Sequence, residues 1–177
     1  MNTMELVFCF VLLFLLKIRY PSGLPITAII HNKFGRRVLV EYRRLEKVHF
    51  RIQKLKLDLD FLHLCKAYDV APKFLHFKIY DKDFRNTTLY RNWQQTLLER
   101  EIRSQEFKLD RLKIEYRDCD NIFRNSVSFL DYYYFLCKIK LHTLNSCKKV
   151  KEIHERKLSN LGIRSVVYNK NCIFNYF

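Results

Sequence analysis

Residues 45–62 read LEKVHFRIQKLKLDLDFL, and their spacing decides the fold class. Leu45, Val48, Ile52, Leu55, Leu59 and Leu62 follow one another at steps of 3, 4, 3, 4 and 3. That period of 3.5 lays all six along one stripe of a helix, as in the seam of a coiled coil. Phe50, Leu57, Phe61 and Leu64 widen the stripe, so the helix is expected to pack on more than one neighbour. Arg44, Lys47, Arg51, Lys54 and Lys56 lie between the apolar positions. Pro72 is expected to close the helix, because the residue before a proline avoids helical geometry. The rod from Arg36 to Tyr68 then measures about 50 Å.

Two further helices are expected downstream. One spans residues 88 to 123, with Leu89, Trp93 and Leu97 on one face, continued by Leu109, Leu112, Tyr116, Cys119 and Phe123. Asp83, Asn86 and Thr87 offer oxygens to cap it. Trp93 is expected in the core. The other spans residues 126 to 161, where Val127, Leu130, Tyr134, Cys137, Leu141 and Leu144 repeat the 3, 4, 3, 4, 3 spacing. Its phase then slips before Val150, Leu158 and Leu161 resume it. Gly162 suits the position just past a helix end. FLHFKIY, residues 74–80, lacks a helical period and reads as an extended connector. The fold class is therefore all-α, with long antiparallel helices in a helical hairpin or coiled-coil-like bundle.

Composition supports this and removes several function classes. The chain has 177 residues with only 3 Gly and 3 Pro, too few turn residues for a sandwich or barrel. Gly23, Gly35 and Gly162 are far apart, which excludes a phosphate-cradling glycine loop and with it Rossmann and P-loop chemistry. The six cysteines form no CxxC and keep no finger-like distance to a His, so no structural zinc, other metal or cofactor is expected. They read as free thiols of a reducing compartment. Asp58 and Asp60 sit on different helix faces, the six histidines are scattered, and no GxSxG turn or Cys–His arrangement is legible, so no enzymatic activity is expected.

Four segments are expected: an apolar stretch at 1–20, a linker at 21–33, a basic helical module at 34–162 and an unstructured tail at 163–177. Within the first, residues 6–16 read LVFCFVLLFLL, about 16 Å as a helix against a hydrocarbon core of about 30 Å. It reads as a signal or anchor, as a buried segment, or as read-through of flanking sequence.

Lys+Arg number 33 against Asp+Glu 18, a formal net charge of +15. Such a chain calls for an anionic partner. Cations distributed on rods favour the phosphate backbone of RNA or DNA over base reading. The candidate contacts are Arg36, Arg37, Arg43, Arg44, Lys47, Arg51, Lys148, Lys149 and Lys151. The expected location is intracellular and nuclear, with self-association through the helices. The alternative is a membrane-anchored coiled-coil interaction protein that uses residues 6–16.

Three phrases carry a resemblance. The first is Leu59-Asp60-Phe61-Leu62-His63-Leu64-Cys65 with Val70-Ala71-Pro72-Lys73-Phe74-Leu75. The second is Leu97-Leu98-Glu99-Arg100-Glu101-Ile102-Arg103 with Phe107-Lys108-Leu109-Asp110-Arg111-Leu112. The third is His154-Glu155-Arg156-Lys157-Leu158. In order and spacing they resemble the L-x-FL-x-x-C/V-x-P-x-x-L, LLR-x-RIR/KLD-x-L and H-x-x-KL elements of the N-terminal helical region of Penelope-like retroelement polyproteins. There the region leads into a reverse transcriptase, often followed by a GIY-YIG-type endonuclease. This chain carries neither polymerase aspartates nor a nuclease motif. The resemblance implies a non-catalytic helical scaffold that holds RNA or DNA or mediates self-association.

Overall fold

A computed structural model of the chain describes residues 24–70, 72 and 87–163. Three helices make up these residues: α1 (Ile26–Ala67), α2 (Thr88–Ser126) and α3 (Phe129–Asn160), with no strand among them. The fold is all-α, as the apolar periodicity predicts. Residues 1–23, the connector at 74–80 and residues 164–177 lie outside the described residues. The expected anchor at 6–16 and nearly all of the expected tail fall there.

Helix α1 begins ten residues earlier than the sequence suggested. Residues 26–33, expected as linker, are helical. Pro25 stands at the N-cap with extended geometry, and its carbonyl accepts from the amides of Ala28 (2.9 Å) and Ile29 (3.2 Å). Ile26, Ile29, Ile30 and Phe34 return at helical spacing and join the core. Pro25, which looked like linker, thus starts the helix. Gly35, at φ 85° and ψ 177°, breaks the helical geometry and kinks α1. That region of backbone space is essentially open to glycine alone.

Local chemistry sets the other ends. At the end of α1, Asp69 adopts φ 52°, the Val70 amide reaches the Cys65 carbonyl (2.9 Å) and the Asp69 amide that of Lys66 (3.2 Å). This paired closure satisfies the last carbonyls before Pro72. Thr87 caps α2 by accepting from the Tyr90 amide at 3.2 Å. Ser128 caps α3 through the Asp131 amide. At the far end Gly162 (φ 80°) and Ile163 repeat the closure, with Ile163 N–H on Leu158 O at 3.1 Å. Ile163, expected in the tail, is buried against the bundle.

Paired contacts give the topology. Along α1, Arg44, His63 and Lys66 face Glu115, Glu106 and Glu99 of α2, so the two run antiparallel. Lys33, Glu46 and Asp58 face Asp131, His142 and His154 of α3, so α1 and α3 run parallel. Helix α1 is the shared partner, and α2 meets α3 chiefly near their tight turn. One core gathers Tyr42, Leu45, Val48 and Ile52 with Cys119 and Phe123 of α2 and Phe135 and Ile139 of α3. A second gathers Leu59, Phe61, Leu62 and Cys65 with Leu98, Ile102, Leu158 and Ile163. Each of the three phrases quoted above contributes to this second cluster. Five of the six predicted seam residues of α1 are buried, and Leu55 is half-buried.

The faces of α2 and α3 differ from expectation. Leu89 and Trp93 are exposed (69% and 37%), and Tyr90, Leu98 and Ile102 take the core positions instead. On α3, Leu130 and Leu141 are exposed, while Phe135, Ile139 and Cys147 are buried. Both helices carry more apolar residues than one face can use, so spacing alone does not say which stripe turns inward.

Candidate nucleic-acid interface

The basic face of α1 arises from helical spacing. Arg36, Arg43, Lys47, Arg51 and Lys54 recur at steps of 7, 4, 4 and 3, on the side away from Leu45. All five are exposed. They run along about 27 Å of helix. Arg37 is exposed beside Arg36, just past the Gly35 kink. Arg44 is engaged at its edge, with a guanidinium nitrogen 3.9 Å from Glu115. Of the α3 group, Lys148 and Lys149 are exposed, and Lys151 lies 3.9 Å from Glu155. The long, exposed Arg44–Glu115 pair holds its cation weakly, whereas Lys151 is half-buried.

An open cleft of about 420 Å³ lies where this face meets α2. Arg51, Lys54, Leu55 and Asp58 of α1 and Lys108, Arg111 and Leu112 of α2 line it. Arg51, at the end of the predicted α1 group, is the predicted contact that lines it; Lys148, Lys149 and Lys151 do not. Lys108 and Arg111 are functional candidates that the sequence reading missed. The signal was present as two i, i+3 basic pairs beside a leucine, Arg51/Lys54 and Lys108/Arg111. They become one site only through the antiparallel register of α1 and α2. None of these four cations makes an ion pair among the described residues, although Arg111 lies over the Phe107 ring at 5.2 Å.

Asp58 is the one carboxylate in the cleft, and it is already engaged. Its Oδ1 lies 3.1 Å from Nε2 of His154, a buried residue stacked on Phe61 with 4.9 Å between ring centroids. Asp58 accepts, so Nε2 carries the hydrogen, and Nδ1 is left buried without a partner. His154 thereby draws Asp58 toward α3, and the cleft keeps an excess of positive charge.

Other titratable groups serve the interior. Burial holds the His49 imidazole down at about 4, helped by Lys140 and Lys56 nearby. Burial pushes the Cys65 thiol up to about 11 and the Tyr116 hydroxyl up to about 12, the latter with a contribution from Asp120. Cys65, Cys119, Cys137 and Cys147 are free thiols. Asp131 is 1% exposed and held by Lys33 at 3.0 Å and by the Ser128 hydroxyl at 2.6 Å. Among the described residues, no group of three or more His, Cys, Asp or Glu could hold a metal, and no helix is long and apolar enough to cross a membrane.

Charge neutralisation is the chemistry that the four cations of the cleft offer. Four like charges gathered around one carboxylate, Asp58, disfavour the folded chain, and a bound anion relieves that cost. No protein family, no curated protein and no solved structure matches the chain.

Proposed function

We propose that this chain is a basic, non-catalytic helical module of a retroelement-derived protein, and that it binds the phosphate backbone of nucleic acid independently of sequence. The observation that carries the reading is the cleft, with Arg51, Lys54, Lys108 and Arg111 on facing helices and none of them in an ion pair with another described residue. The stripe from Arg36 to Lys47 extends the positive surface along α1. Flexible cations on rigid rods meet phosphates without reading base edges. The convergence of the three Penelope-like phrases on one core cluster supports the origin, because it gives their order and spacing a common structural purpose.

The test is binding of the full chain to labelled single-stranded RNA and duplex DNA of unrelated sequences, from 50 to 300 mM KCl. The reading expects log K to fall linearly with log[salt] and similar affinity across sequences. Salt-independent binding, strong preference for one sequence, or no binding at 50 mM salt refutes it.

A further inference from the structure

The outer face of α2, turned away from α1, carries Phe107 and Ile114 at 63% and 59% exposure, seven residues apart on one stripe. Arg103, Asp110, Arg111 and Asp118 flank them, all exposed; Arg103 lies 3.9 Å from Glu99, Asp110 lies 2.8 Å from Lys113, and Arg111 stands at the edge of the face, where it also lines the cleft. Their order is antisymmetric about a point between Asp110 and Arg111. We propose that this face docks a second copy of the chain, with two α2 helices antiparallel about a two-fold axis through that point. The pairing sets Phe107 against Ile114 of the other copy, Asp110 against Arg111, and Arg103 against Asp118. By symmetry each contact occurs twice.

Charge selects this register. Sliding the copies by one heptad in one direction places Arg103 against Arg111. Sliding in the other direction places Asp110 against Asp118 and Arg111 against Arg117. A parallel pairing in register sets every charge against itself. Of these arrangements, the proposed one opposes unlike charges along the exposed stripe, at Arg103–Asp118 and Asp110–Arg111.

Charge also favours α2 over the other helices. It holds eight Lys/Arg against seven Asp/Glu, whereas α1 holds ten against four and α3 seven against three. A chain of +15 can approach its own copy along α2 without the repulsion the other helices impose. The contact from Arg100 to Asn121 is about 32 Å long. Arg111 also lines the proposed phosphate cleft, so the test changes Arg103 and Asp118, which lie outside it.

Sedimentation velocity on nuclease-treated full chain tests it, with helicity checked by circular dichroism. Wild type is expected to dimerise. Arg103→Glu and Asp118→Lys, each at an exposed site, should each weaken dimerisation about tenfold. The double variant Arg103→Glu/Asp118→Lys should restore it. Arg103 and Asp118 lie about 22 Å apart along one helix, so the restoration can only act between copies. A monomer at all concentrations, a dimer indifferent to the single changes, or failure of the double variant to recover overturns the proposal. So does a monomeric chain in which Arg103→Glu instead weakens RNA binding, which would assign the face to nucleic acid.

Discussion

Replacing Arg51, Lys54, Lys108 and Arg111 together with Ala removes every cation of the cleft and leaves the interior untouched. All four side chains are exposed. Changes at such sites usually shift stability by no more than about 0.5 kcal/mol each. Relief of mutual repulsion here favours the variant. The effect on binding follows from counterion release. Each phosphate neutralised on a single strand contributes about 0.7 to the slope of log K against log[salt]. Four contacts contribute about 2.8. At 0.1 M salt, one decade below the 1 M reference, that is about 2.8 decades of affinity, or roughly 600-fold. Between 0.1 and 0.2 M salt the wild type should lose about sevenfold more than the variant. Fluorescence anisotropy with labelled single-stranded RNA measures both quantities in one titration series. A variant that keeps its helicity and its salt slope to within about one unit refutes the assignment of the cleft, whatever the total affinity.

Two further outcomes concern the scaffold. Gly35→Ala meets no neighbouring atom, so its cost lies wholly in the backbone at φ 85°. Urea unfolding should show a loss of about 1–3 kcal/mol, and no loss would mean that α1 is straight there. Burial holds the His49 imidazole at about 4 in the fold, below its ordinary 6.5. Above pH 6.5 both states keep it neutral and its full contribution is present. As pH falls from 6.5 toward 4, the unfolded chain takes up a proton that the fold refuses, so stability declines. The loss between pH 7 and pH 5 is about 2 kcal/mol. His49→Phe should remove that part of the pH dependence, and an unchanged profile would show that the imidazole is not buried neutral.

The sequence makes α1 legible because its apolar residues form one dominant stripe and the partner helices bury that stripe. Helix α2 is harder. Leu89, Trp93 and Leu97 share a face at steps of four, but Tyr90, Leu98 and Ile102, at steps of eight and four, share the face one residue further round, and tertiary packing chooses the second set. On α3 the 3, 4, 3, 4, 3 run through Leu130 and Leu141 is regular, yet the core takes Phe135 and Ile139, larger or better placed against Tyr42 and Phe123. Ser128 and Gly162 act as their residue types suggest. The start of α1 was hidden because Pro25, a residue usually read as a helix breaker, stands at the N-cap, where its missing N–H costs no helical hydrogen bond.

The candidate site divides the same way. Composition and spacing reveal the cationic face of α1, since Arg36, Arg43, Lys47 and Arg51 repeat at helical steps within one element. The cleft is a property of two elements. Lys108 and Arg111 look like ordinary solvated positions until the antiparallel register sets them beside Arg51 and Lys54. His154 shows the same limit. Alone on a helix it carries no message, and its engagement of Asp58 depends on how α3 lies along α1.

Amine-reactive crosslinking of the monomer, read by mass spectrometry with and without single-stranded RNA, bears on the pairing of the two basic surfaces and on their occupant at once. A short linker should join Lys54 to Lys108 in the free chain, and saturating RNA should suppress that link. Absence of the link in free protein, or a link that persists undiminished under RNA, contradicts the account.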